Sequence, residues 1–162
     1  MYYPKIETIE EFNLKTGDLI PVYSEIDCGM ETPVTVYQKI ANTKYSFLLE
    51  SLEGESKLAR YSFIGSSPYK IIKTGKDEVL GCIDPLPLIE EELKKFQQIY
   101  IPGLPRFVGG AVGFLSYELI HYFEPRVKSL GSDALNLPES IFMFTDTLVI
   151  FDHDRKKMIV LS

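Results

Sequence analysis

The amino-acid sequence predicts an α+β fold with a largely antiparallel β-sheet core and a few flanking helices. Strand-like apolar runs outnumber helical patterns, and neighbouring strands are commoner than strand–helix–strand units, which favours this fold class. The chain has 162 residues, of which 45% are hydrophobic and 25% are charged. These values are typical of one ordinary globular domain, so we expect a single domain over residues 1–162.

The N-terminal quarter of the chain predicts two helices and a strand. Residues 5–15 have apolar side chains three apart, which is typical of a short amphipathic helix. Residues 17–26 indicate a strand, and Pro21 within it favours an edge or a bulge. Residues 30–42 predict a helix with Thr32 as its N-cap, followed by a proline at the first helical position.

Several strands are expected in the middle of the chain. Residues 44–51 are almost continuously apolar, which predicts a strand that is buried on both faces. Residues 59–75 contain two further strands around a Gly-Ser-Ser-Pro break. Residues 76–84 are expected to return as a hairpin partner through a turn at Gly75.

A second amphipathic helix is predicted over residues 85–100, because glutamates come early in it and lysines come late. Residues 108–124 contain three glycines inside a strand-like stretch, where glycine usually marks a bulge or a close approach of another backbone. Residues 140–162 predict two strands around the turn "DHDRKK". The expected buried stripe of the helix consists of Leu86, Ile89, Leu93 and Phe96.

Composition excludes several classes of protein. The net charge is −6, and there is no basic stripe of the kind that binds nucleic acid. The apolar runs are far shorter than the roughly 20 residues of a membrane span, and the N-terminus lacks a signal-peptide pattern. We therefore expect a cytoplasmic protein without nucleic-acid or membrane partners, in which Cys28 and Cys82 are reduced structural thiols.

The histidines and glycines predict no catalytic centre and no metal site in this chain. His121 lies among apolar residues and is expected to be partly buried, whereas His153 lies in the sequence "DHD", which predicts a solvated surface turn. Neither has the neighbours that a catalytic triad or a metal site needs. The glycines at 109, 110 and 113 lack the spacing of a dinucleotide-binding fingerprint.

One polar stretch, within "YSFLLESLEGESKLARYSFIGSSP" at residues 45–68, contains candidate binding residues. Glu50 and Ser51 end a predicted strand and could accept hydrogen bonds from an ammonium group. Lys57 and Arg60 follow a few residues later and could meet a carboxylate, so that the four would suit an amino acid. Spacing alone leaves a second interpretation open, in which the stretch is a hairpin connection with ordinary surface charges.

The sequence resembles the N-terminal region of the large subunit, component I, of anthranilate synthase. The blocks that carry the resemblance are "IPVYSEI", "ETPVTVYQKI", "YSFLLES", "RYSFIGSSP", "GGAVGFLSYELIHYFE" and "FMFTDTLVIFDH". Their order and spacing cover nearly the whole chain, and the combination of "LLES" with "ARYSFIG" is the most specific. Aminodeoxychorismate synthase large subunits share the fold and parts of these blocks.

The resemblance implies that the chain is an N-terminal part of a larger two-lobed synthase fold. In this family the enzyme makes anthranilate from chorismate, and a glutamine amidotransferase subunit supplies ammonia. The chorismate- and magnesium-binding residues lie in the C-terminal half, which this sequence lacks. We therefore expect no cofactor and no catalysis in this chain alone, with Mg²⁺ needed by the full-length enzyme.

The resemblance also implies a regulatory site for L-tryptophan beside the "LLES" segment. Ser51 is the strongest expected contact, Glu50 is the next, and Leu49 is expected to line the pocket. Lys57 is the expected basic contact, with Arg60 as the alternate. The alternative function that the sequence leaves open is a structural and docking portion of an aminodeoxychorismate synthase large subunit.

Overall fold

The computed structural model describes residues 1–50, 60–124, 126–127 and 135–162. It confirms the predicted α+β class, with mostly antiparallel sheets and few helices. The strands are β1 Tyr2–Tyr3, β2 Asp18–Leu19, β3 Tyr23–Asp27, β4 Ser46–Leu49, β5 Tyr61–Ser66, β6 Lys70–Thr74, β7 Gln97–Gln98, β8 Gly110–Leu115, β9 Ser140–Thr145, β10 Leu148–Asp152 and β11 Lys157–Leu161. The helices are α1 Ile6–Glu11, α2 Pro33–Ile40, α3 Leu86–Leu93 and α4 Ile120–Phe123, with a 3-10 turn at Tyr117–Leu119.

The chain divides into two compact units, and the expectation of one domain over residues 1–162 stays a prediction. The first unit contains Met1–Tyr69, Phe96–Gly110 and Thr145–Ser162. The second unit contains Lys70–Lys95 and Ala111–Phe144. Each unit has its own main sheet.

The first unit is built on a six-stranded sheet with the order β1-β3-β11-β10-β5-β4. All of its strand pairs are antiparallel. Strands β2 and β7 form a separate parallel pair of two residues each. One face of the central strands lies in the core and includes Leu148, Ile150, Ile159 and Leu161, each at most 2% exposed. In β10 the next residues, Phe151 and Asp152, are buried as well.

The second unit is built on a three-stranded sheet with the order β6-β9-β8. Helix α3 packs on it through Ile89, which forms a buried cluster with Ile72 and Phe144. Gly113 confirms the prediction of a close backbone approach, because a Cβ atom at this position would lie only 2.0 Å from the carbonyl oxygen of Ile141. The glycine block is therefore strand structure, and Gly113 allows β8 to approach β9.

Helix α2 confirms the predicted start signals. The Thr32 hydroxyl accepts a hydrogen bond from the Thr35 backbone N–H at 3.2 Å, and the Thr35 hydroxyl accepts one from the Thr32 N–H at 2.9 Å. Pro33 occupies the first helical position, where its missing N–H costs nothing. This reciprocal capping fixes where the helix begins.

Three of the strand predictions differ from the structure. Residues 17–26 are interrupted around Pro21, because proline cannot donate a ladder hydrogen bond, and only Tyr23–Asp27 joins the large sheet. Strand β4 lies at a sheet edge with only Phe47 buried, so the predicted burial on both faces is wrong. Residues 76–84 form turns instead of a hairpin strand, since β6 pairs with the distant strand β9.

Two further predictions need correction. Helix α3 ends at Leu93, not near residue 100, and it buries Ile89 and Glu92, whereas Leu86, Leu93 and Phe96 are 40%, 43% and 42% exposed. The C-terminal segment contains three strands instead of two, because it breaks after Thr145 and then continues in the other sheet. No described helix is long and apolar enough to cross a membrane.

Candidate effector site

The candidate site lies beside the edge strand β4 and its neighbour β5. These strands pair antiparallel, with Phe47 opposite Gly65 and Leu49 opposite Phe63. Leu49 ends the strand and is 44% exposed, and Glu50 follows it and is also exposed. Both side chains are thus accessible to a ligand at the end of the strand.

The aromatic ring of Phe47 on β4 packs over Gly65 on β5. A Cβ atom at Gly65 would lie 2.3 Å from Cε1 of Phe47, so the ring occupies the space that any other side chain would need. The ring of Phe63 meets that of Phe107 edge-on at 5.5 Å. The glycine of "RYSFIG" therefore allows Phe47 to pack across β5.

Helix α2 holds the opposite end of β4. The Tyr37 hydroxyl hydrogen-bonds to the Ser46 hydroxyl at 3.0 Å. A hydrogen bond between Thr43 and Ser66, at 3.3 Å, adds a contact between the loop before β4 and the end of β5. These contacts fix the strand that precedes Glu50.

Arg60 begins the return of the chain, and its side chain, which is 33% exposed, binds a buried carboxylate. Its Nε donates to Oδ1 of Asp152 at 2.9 Å, and its Nη2 donates to Oδ2 at 2.5 Å. Asp152 is 1% exposed, so the predicted solvated turn "DHD" is wrong at this residue. A bidentate pair of this kind fixes both the distance and the orientation of the guanidinium.

His153 reinforces this connection, although its exposure agrees with the predicted surface position. Its backbone N–H donates to the carbonyl oxygen of Arg60 at 2.9 Å. Its Nε2 lies 2.8 Å from the hydroxyl oxygen of Ser62, which is 2% exposed. Residues 152 and 153 therefore hold residues 60 and 62 through both backbone and side chains.

The electrostatics of the pair favour its charged form. Burial alone would raise the pKa of Asp152, but the hydrogen bonds from Arg60 and from the Arg155 backbone N–H outweigh it and lower this pKa. The hydrogen bond to Asp152 raises the pKa of Arg60. Burial and the nearby Asp152 charge raise the pKa of Tyr61.

The structure brings two of the predicted contact residues, Leu49 and Glu50, to the exposed end of β4. Ser51 and Lys57 lie outside the described residues. Arg60, the alternate basic contact, already has a carboxylate partner in Asp152. Sequence reasoning missed Asp152, since the two residues are 92 positions apart and no local pattern links them.

The described residues do not provide a magnesium site. No group of three or more His, Cys, Asp or Glu side chains among them is placed to hold a metal ion. Two acidic residues of β3 are instead paired with basic ones, Glu25 with Arg155 and Asp27 with Lys157.

Sequence comparison finds close relatives, although no family model matches the chain. Anthranilate synthase component 1 of Acetivibrio thermocellus is 36% identical over 170 residues, which cover 98% of this chain and 34% of the relative. Anthranilate synthase component 1 of Saccharomyces cerevisiae is 39% identical over 160 residues, which cover 93% of this chain and 31% of the relative. The chain thus spans about a third of the length of the curated relatives that it matches.

Structure comparison supports the same fold. The crystal structure of anthranilate synthase component I from Streptococcus pneumoniae TIGR4 matches with a TM-score of 0.53 at 24% identity. The match covers 85% of this chain and 31% of that one. The resemblance predicted from the sequence blocks is therefore confirmed, and the chain is homologous over nearly its whole length to a region of anthranilate synthase component I.

Proposed function

We propose that this chain is the N-terminal regulatory part of an anthranilate synthase component I and contributes its tryptophan feedback site. The observation that carries the proposal is the identity of 34–42% with component 1 relatives over 83–99% of the chain. The complete protein would convert chorismate to anthranilate in tryptophan biosynthesis. Chorismate and Mg²⁺ would bind in its C-terminal half, and a glutamine amidotransferase subunit would supply ammonia.

The described end of β4 supports an amino-acid effector site. Glu50 is exposed and could accept hydrogen bonds from the effector ammonium group, while Leu49 offers apolar surface to the indole ring. Lys57 would bind the carboxylate, since the guanidinium of Arg60 is engaged by Asp152. Ser51 would add a hydroxyl contact beside Glu50.

Regulation at this site requires that tryptophan binds two states of the enzyme with different affinity. The C-terminal half would complete the pocket, so the isolated chain should bind tryptophan weakly and should not consume chorismate. The names of the relatives favour this function over an aminodeoxychorismate synthase role, in which the region would be structural and would help to hold the amidotransferase.

The test is a tryptophan titration of the full-length protein that carries this chain, with chorismate and ammonium as substrates. Ser51→Phe should raise the half-inhibitory tryptophan concentration by about 10-fold or more, within the usual range of allosteric coupling. Ser24→Ala is the matched control, because Ser24 lies on β3, which does not pair with β4 or β5. Full-length protein that tryptophan does not inhibit, or equal inhibition of Ser51→Phe and wild type, would contradict the proposal.

A further inference from the structure

Asp152 and His153 contact Arg60 and Ser62, and we call these contacts the Asp152–His153 clamp. The clamp adds side-chain bonds to the backbone hydrogen bonds of the sheet. The pairing of β5 with β10 already places Tyr61 opposite Asp152. To this ladder the clamp adds two guanidinium hydrogen bonds and a side-chain bond between Ser62 and His153. The register of the strands does not require these side-chain contacts.

The buried carboxylate of the clamp is also a costly way to stabilise a sheet. Removing an aspartate from water has a large desolvation cost, and a buried ion pair often stabilises a protein no more than apolar residues of similar size. A planar guanidinium held at two atoms does, however, fix an orientation. The geometry of Asp152 and Arg60 therefore suits a positioning role.

The place of the clamp in the chain indicates what it positions. Arg60 follows residues 51–59, the stretch of the sequence that contains Ser51 and Lys57, and directly precedes β5. Because the chain is continuous, fixing Arg60 fixes one attachment point of that stretch. Strand β4, which ends at Leu49, fixes the other.

We propose that Asp152 is a positioning residue for tryptophan regulation, acting through its bidentate hold on Arg60 without touching the effector. This inference rests on the proposed function. A neighbouring contact extends the connection, because the backbone N–H of Arg155 donates to Asp152 at 3.2 Å and the Arg155 guanidinium binds Glu25 on β3 at 2.6 and 3.1 Å. The clamp thus links the attachment point of residues 51–59 to strands β10 and β3.

The decisive variant is Asp152→Asn in the full-length protein, assayed with ammonium and chorismate and by calorimetric titration with tryptophan. We expect the half-inhibitory tryptophan concentration and the tryptophan Kd to rise about 10-fold. Asp27→Asn is the matched control, because it removes a carboxylate that binds Lys157, at the start of strand β11, and does not contact Arg60. This control should keep wild-type inhibition.

Three outcomes would overturn the positioning role. Unchanged tryptophan inhibition in Asp152→Asn, even with a lower Tm, would leave the clamp as a purely structural contact. Stronger inhibition would mean that the freed Arg60 binds the effector directly. If both Asp152→Asn and Asp27→Asn weaken inhibition equally, the effect is general and the proposal fails.

A second variant covers the case in which Asp152→Asn does not fold. Arg60→Lys keeps a cation next to Asp152 but cannot form the two-pronged contact, and it should weaken tryptophan inhibition several-fold, a smaller change than the roughly 10-fold coupling above. Unchanged inhibition would overturn the proposal. If tryptophan does not inhibit the wild-type protein, the proposed function itself is refuted. If tryptophan inhibits the wild type and the variants equally, only the positioning role is refuted.

Discussion

The two units of this protein differ in the partners of their buried carboxylates. In the first unit, a buried carboxylate, Asp152, meets the planar guanidinium of Arg60 at two atoms across neighbouring strands. In the second unit, the buried carboxylate of Glu92 on α3 meets two ammonium groups, those of Lys70 and Lys95. An ammonium neutralises a charge without fixing an orientation, whereas a guanidinium fork does both.

The comparison extends to the backbone. Where the first sheet uses side-chain contacts to position strand ends, the second uses the lack of a side chain at Gly113 to bring β8 against β9. A side-chain contact of the first sheet can be removed by a substitution that leaves the backbone in place. A side chain added at Gly113, in contrast, forces the backbone of β8 or β9 to move. Stability measurements on matched variants can test this difference.

The largest effect is expected for Gly113→Ala. Its Cβ atom would lie 2.0 Å from the Ile141 carbonyl oxygen and 2.8 Å from the Phe142 Cα atom, and backbone cannot move aside as a side-chain tip can. The free energy of unfolding, from urea denaturation, should fall by about 3 kcal/mol. Gly29→Ala, where nothing lies within 4 Å but φ is +59°, should cost only roughly 1 kcal/mol; equal losses would contradict a steric origin.

A smaller loss is expected for Asp152→Asn. The substitution keeps the shape but removes the charge that Arg60 binds, which should lower the free energy of unfolding by about 2 kcal/mol. Glu92→Gln should lower it less, since the lysines that Glu92 binds are 42% and 50% exposed and can return to water. If Glu92→Gln proves to be the more damaging variant, the distinction between the two carboxylates is wrong.

Gly65→Ala should cost about 1 kcal/mol, because the Phe47 ring that it would strike can rotate away. In a Phe47→Leu background the same substitution should cost clearly less, since the ring atoms at 2.3 and 2.4 Å are gone. A double-mutant cycle of unfolding free energies measures this coupling. Additive losses would show that Phe47 does not limit the side chain at residue 65.

The smallest expected effect is the contribution of Asp152 to the pH dependence of the free energy of unfolding. Its pKa is lowered from the ordinary value of 3.8, so its contribution to stability is present above pH 3.8 and is lost as the pH falls through the folded-state pKa. Between pH 5 and pH 3 wild type should therefore lose more unfolding free energy than Asp152→Asn. Parallel pH profiles of the two proteins would contradict an ionised Asp152 in the folded state.

Short local patterns in the sequence were sufficient to predict some features of the structure. Thr32 and the proline after it predicted the start of α2, because capping depends only on residues a few positions apart. The glycine block predicted a close backbone approach, because only glycine leaves room for one, although the sequence did not indicate that the partner of Gly113 is Ile141. Glu50 is exposed at the end of β4, and its contact with an effector stays a prediction.

The features that the sequence did not predict depend on contacts between residues that are far apart in the chain. Residues 76–84 looked like the hairpin partner of β6, yet that strand pairs with β9, whose residues lie more than 60 positions later. The apolar run at 44–51 could not indicate that β4 would lie at a sheet edge. Likewise, no spacing within "ARYSFIG" could assign Arg60 to Asp152, because such a pair is defined only when the sheet is assembled.

The strand order of the first sheet has a consequence for the timing of folding. Strand β5 pairs with β10, which places Ile64 opposite Val149, and β3 pairs with β11. Such non-local pairing makes folding slow in comparison with hairpin-rich proteins. During synthesis on the ribosome, β4 can pair with β5 early, but the other edge of β5 and one edge of β3 stay unpaired until β10 and β11 have left the exit tunnel. Nascent chains shorter than this therefore have an open β5 edge that chaperones could protect.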